Sequence, residues 1–77
     1  MLRVGDEIMY RPVWGTGPLT RVRVRGMEIT TEPRSKYGTT VEEVSWDLVK
    51  ANCVIFDLSN GKWAYSEAID IPASKSL

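Results

Sequence analysis

Apolar and polar residues alternate most regularly along Thr20–Ile29. Val22 and Val24 fall on one side, and Arg21, Arg23 and Arg25 on the other, the period of a half-buried β-strand. Gly26 interrupts the alternation and predicts a bulge or sharp bend, after which Met27 and Ile29 resume an apolar face. A second alternating segment sets Ile8 and Tyr10 against Met9 and Arg11. It follows a Gly5-Asp6 turn and stops at Pro12, which has no amide proton to give to a ladder. Pro12–Leu19 reads as a loop that carries Trp14. Its Gly15-Thr16-Gly17 lacks both the Gly-Lys-Ser/Thr and the following helix that a phosphate-binding loop requires.

The strongest turn signal is Asn60-Gly61, between Val54–Leu58 and Trp63–Ser66. A two-residue type I′ loop there pairs Leu58 with Trp63, Asp57 with Ala64 and Phe56 with Tyr65. That register puts Val54, Phe56, Leu58, Trp63 and Tyr65 on one buried face, with Ile55, Asp57, Ala64 and Ser66 opposite.

The remaining stretches are less regular. Glu32–Gly38 is polar, with Pro near its start and Gly at its end, and reads as a loop holding Tyr37. Thr39–Lys50 admits two readings. As a helix it has Thr40 and Glu43 in capping-box spacing and a Val41, Val44, Leu48 stripe. The β-branched Thr39, Thr40, Val41 and Val44 favour instead a strand through Trp46 and a tight turn over residues 47–52. Glu67–Ile71 is expected to give one helical turn and a short closing strand, ended by Pro72, with a frayed tail from Ala73.

At 77 residues the chain makes one domain, with an ordered core expected over about residues 3–72. It holds a single cysteine and no histidine, so neither an internal disulfide nor a histidine-bearing metal site or nucleophile is available. Cys53 opens an apolar run, where a thiol acts as a small hydrophobe. Asp6-Glu7 and Glu42-Glu43 are carboxylate pairs, but neighbours on a strand point to opposite faces. No enzyme activity, cofactor or metal is expected. The amino terminus lacks the apolar core of a signal peptide, and no run nears the length of a membrane-spanning helix, so a cytoplasmic location is expected. Ten basic and ten acidic residues cancel, which argues against a chain devoted to coating phosphate backbones.

Five short strands separated by turn signals, with room for one short helical turn, describe an all-β small barrel. Val4-Gly-Asp-Glu-Ile-Met-Tyr10, Val24-Arg-Gly-Met-Glu-Ile29, the Val54–Tyr65 hairpin and Ile69 together resemble the Tudor/SH3-like barrel superfamily. More closely, the chain is similar to small bacterial or phage-associated proteins with an Asn-Gly-x-Trp-Ala-Tyr hairpin. The resemblance implies a barrel that binds extended peptides or nucleic acid, and it brings no catalytic residues.

Two binding readings follow. Three Trp, three Tyr and one Phe are more than so small a core can enclose, and surface aromatics hold proline-rich segments or ammonium groups. Trp14, Tyr37, Trp46 and Tyr10 are the candidates for a protein or peptide partner, with Trp14 and Tyr37 the exposed pair and Phe56, Trp63 and Tyr65 assigned to the core. Open strand edges add self-association or strand addition. The alternative is nucleic acid on Arg21, Arg23 and Arg25, whose guanidiniums recur every ~7 Å along one strand face. Carboxylates such as Glu42, Glu43 or Asp57 would neutralise that face if they pair with it.

Overall fold

The computed structural model describes residues 1–33, 35 and 37–71. The elements run β1 (Leu2–Arg3), β2 (Glu7–Tyr10), α1 (Pro12–Gly15), β3 (Thr20–Ile29), β4 (Thr39–Val41), β5 (Glu43–Val44), α2 (Trp46–Lys50), β6 (Val54–Leu58) and β7 (Trp63–Tyr65). A 3-10 turn, Ser66–Ala68, follows β7. The architecture is all-β and antiparallel, with short helical pieces at the joints. The expected frayed tail beyond Pro72 lies outside the described residues.

β3 is the shared spine. Its first half pairs with β2 (Glu7 opposite Arg23, Tyr10 opposite Thr20), and its second half pairs with β6 on one side and β4 on the other. Between the two halves the register shifts by one residue, from Val24–Leu58 to Gly26–Asp57, leaving Arg25 as the extra residue of a bulge. The alternation read from the sequence therefore holds: Val22, Val24 and Met27 are buried while Arg21, Arg23 and Arg25 are exposed. β1 and β5 form a separate two-stranded ladder, Leu2 opposite Val44. The main sheet does not close. A single bridge, Tyr10–Ile69, returns the chain to β2, with Asp70 N–H donating to the Met9 carbonyl at 2.8 Å.

The core lies between these layers. Phe56, Leu58, Val24, Val44, Val54 and Met27 are its most deeply buried apolar side chains. Cys53 is buried as a small hydrophobe would be. Full burial of one such apolar side chain stabilises by about 1.5–3 kcal/mol.

Two local expectations need correction. The Thr39–Lys50 strand ends at Val44, and Trp46 begins α2 instead of ending a strand. Ser45 is the reason: its backbone is extended (ψ 151°) and its hydroxyl accepts from Leu48 N–H at 3.4 Å. Asp47 in the first turn and Lys50 in the last complement the helix dipole. Those cues, more local than β-branching, set the boundary.

The hairpin correction matters more. Its loop is Ser59-Asn60-Gly61, not Asn60-Gly61 alone. Leu58 N–H donates to the Lys62 carbonyl at 2.9 Å, Gly61 N–H donates to the Leu58 carbonyl at 3.1 Å, and Gly61 takes φ 82°. This is the three-residue loop in which a type I turn is closed by a left-handed glycine. The register becomes Asp57–Trp63, Phe56–Ala64 and Ile55–Tyr65. One residue of slip exchanges the faces of the whole strand. Ala64 and Ser66 turn inward, and Trp63 and Tyr65 turn out. Buried Phe56 faces the methyl group of Ala64, where the two-residue register would have set the Tyr65 ring. Ser66 is satisfied in the interior: its hydroxyl accepts from Val54 N–H (3.1 Å) and donates to the Val54 carbonyl (2.7 Å), replacing the next ladder pair.

Candidate functional site

Trp63, turned outward, meets Trp14. The ring centroids are 5.9 Å apart with planes at 83°, and Tyr65 stands on the other flank of Trp63 at 5.3 Å and 87°. Both are edge-to-face arrangements, favourable by about 0.5–1.5 kcal/mol each beyond burial. These rings border a groove of about 370 Å³ between the Pro12–Gly15 turn and β7. Trp14 is 72% exposed and Trp63 55%, so the aromatic wall is open to solvent.

The Pro12–Gly15 wall is an unusual piece of backbone. Val13 (φ 57°, ψ 55°) and Trp14 (φ 56°, ψ 33°) both lie in the left-handed region, where each non-glycine residue costs about 1–2 kcal/mol. A β-branched residue is seldom found there. Hydrogen bonds hold the turn: Thr16 N–H is shared between the Pro12 and Val13 carbonyls (3.1 Å to Val13), Thr16 Oγ1–H donates to the Val13 carbonyl (2.6 Å), and Gly17 N–H donates to the Pro12 carbonyl (2.7 Å). A Cβ on Gly17 would lie 2.8 Å from the Pro12 carbonyl oxygen, so the closure requires glycine. Arg11 N–H donates to the Ala68 carbonyl at 2.8 Å and fixes the turn to the 3-10 segment.

The floor ties the two walls together. Asn60 Oδ1 accepts from Lys62 N–H at 3.1 Å, which orients the amide so that its Nδ2 donates to the Tyr10 hydroxyl at 2.7 Å. Tyr10 is only 2% exposed: it is the base of the groove and a core residue at once. Glu67 also lines the groove, and its carboxylate accepts from Asn52 Nδ2 at 3.4 Å.

The four aromatic candidates are thus split. Trp14 and Tyr10 border one groove. Trp46 is half-buried against the core at the start of α2, beside a different hollow that Leu2 and Asp70 also line. Tyr37 is 84% exposed, but it precedes β4, which pairs with the far end of β3 from α1. Trp14 and Tyr37 are both exposed and do not form a pair. The residues missed were Trp63 and Tyr65. The available signal was Ser59, whose inclusion in the loop inverts the parity of β7.

The arginine strand face is solvated and shared with acid. Glu7 sits between Arg21 (3.4 Å) and Arg23 (4.0 Å), and Arg23 also donates to the Gly5 carbonyl at 3.0 Å. The partner is Glu7, not Glu42, Glu43 or Asp57. Glu43 pairs with Arg3 at 3.1 Å. Such exposed pairs contribute about 0.2–1 kcal/mol. Among the described residues no helix is long and apolar enough to cross a membrane, and no cluster of ligating side chains could hold a metal. No family model, curated protein or solved structure matches the chain.

Proposed function

We propose that this chain is a non-enzymatic binding module of the SH3/Tudor-like type, which holds an extended peptide of a partner protein in the groove between Pro12–Gly15 and β7. The observation that carries the reading is the Trp14–Trp63–Tyr65 array, three rings set at near right angles on an open groove whose walls and floor are hydrogen-bonded in place. Rigid aromatic surface binds at low entropic cost, and preorganised walls reduce the ordering that a ligand must drive. The finer fold class has its own support. A bulged strand serves two ladders, and a 3-10 turn precedes the bridge back to the first long strand.

The alternative, nucleic acid on Arg21, Arg23 and Arg25, draws less support. Glu7 neutralises part of that face, and the hollow beside Arg21 is also lined by Asp6 and Asp70. Amide NMR of labelled protein decides between the two. A blocked polyproline peptide is expected to shift residues 11–14 and 61–68 at any salt. A short mixed-sequence DNA is expected to leave the spectrum unmoved. Shifts confined to residues 21–25 with DNA, lost as salt rises, would sink the peptide reading.

A further inference from the structure

The polar groups of the groove are unequal in kind. Arg11 lines one wall, directly after Tyr10, and Lys62 lines the other, directly before β7. Neither has a carboxylate within ion-pair distance among the described residues. Their backbones are pinned, Arg11 by the Ala68 carbonyl and Lys62 by Leu58 N–H and Asn60 Oδ1. The Tyr10–Asn60 brace holds the two walls at a set separation, with one cation beside each end of it. The Tyr10 hydroxyl accepts from Asn60, and its own proton has no acceptor among the described residues. The one carboxylate lining the groove, Glu67, is engaged by Asn52. Asn52 is neutral and reaches one carboxylate oxygen, so Glu67 keeps its charge and the lining sets two cations against one anion beside aromatic carbon.

From this we infer that the groove selects an acidic segment: an extended peptide in which an Asp or Glu side chain flanks a proline or aliphatic residue. The apolar residue lies against Trp14 and Trp63, and the carboxylate is met by Arg11 or Lys62, with the Tyr10 hydroxyl as a further donor to it or to a peptide carbonyl. This rests on the groove being the binding site, and adds the charge of the partner. A lysine-bearing ligand would bring a third cation to the groove, although bare aromatic rings alone would welcome it.

Three blocked peptides with the same Pro-Pro-Leu centre, flanked on both sides by Glu, by Gln or by Lys, test the inference through tryptophan fluorescence and amide NMR at low salt. The Glu-flanked peptide is expected to bind at least about ten-fold tighter than the Lys-flanked one, a gap that narrows as salt is added. In the Arg11→Gln/Lys62→Gln double variant the preference for the Glu-flanked over the Lys-flanked peptide should be lost or reversed, since Glu67 is then the charge left in the lining. Equal affinities in the native protein would overturn the charge inference and leave the groove reading intact. Tighter binding of the Lys-flanked peptide would overturn it in favour of an ammonium site. No binding of any of the three up to millimolar concentration would overturn the groove reading itself, and this inference with it. Should the double variant fail to fold, the ranking in the native protein decides alone.

Discussion

The groove and the arginine strand face are both exposed clusters of side chains suited to binding, yet they are built differently. In the groove, residues from β2, the Pro12–Gly15 turn, the hairpin loop and β7 touch one another, and hydrogen bonds lock the backbone of both walls. On β3 the three arginines are one strand's outward side chains, and Glu7 is shared between two of them. Convergence from distant parts of the chain, held at a cost in backbone strain, is what supports the groove as the proposed site. Periodic charge along one strand marks a surface.

The comparison can be broken most forcefully at the hairpin. Phe56→Ala should cost about 3–5 kcal/mol in urea denaturation, near the whole stability expected of so small a domain. Trp63→Ala, directly across from exposed Asp57, should cost less, about 1–3 kcal/mol for its two edge-to-face contacts. Similar losses for the two would return Trp63 to the core and dissolve the groove. Next in size, Trp14→Ala should weaken binding of the Glu-flanked peptide by about thirty-fold or more while lowering stability by no more than about 1.5 kcal/mol, the value of its one edge-to-face contact. Tyr10→Phe should lower stability by about 0.5–1.5 kcal/mol by removing the partner of Asn60. Combined with Asn60→Ala, the effects should fall short of their sum, as for two ends of one bond. The smallest effect is expected on the arginine face. Glu7→Gln should change stability by less than about 1 kcal/mol. Native protein that bound DNA with a steep salt dependence, strengthened further by Glu7→Gln, would reverse the ranking of the two surfaces.

What could be read from the chain depended on how local the determining physics is. β3 was legible because alternation over five residues needs only a solvent side and a core side, and Gly26 announced the bulge. The helical turn expected from Glu67 runs over Ser66–Ala68, and of the short closing strand expected after it only the bridge at Ile69 forms among the described residues. The β7 faces were not legible, because Asn60-Gly61 serves a two-residue and a three-residue loop alike. The choice rests on whether Tyr65 or Ala64 packs against Phe56, a packing fact with no local signature. Trp14 was recognised as exposed, but its left-handed backbone was not, since Val13 argues against that conformation. Only the Thr16 and Gly17 hydrogen bonds, seen in three dimensions, explain it.

The hairpin loop has an evolutionary consequence. What sets the faces is the pairing of Leu58 with Lys62, not the number of residues between them. Losing Ser59 would leave Asn60-Gly61 as a two-residue loop between the same pair, with Trp63 still opposite Asp57 and the groove intact. A residue gained between Lys62 and Trp63 would instead aim both rings at the interior with every aromatic letter of Trp63-Ala64-Tyr65 unchanged. Among descendants of this sequence, the loop should therefore tolerate changes of length that the stretch from Lys62 to Tyr65 does not.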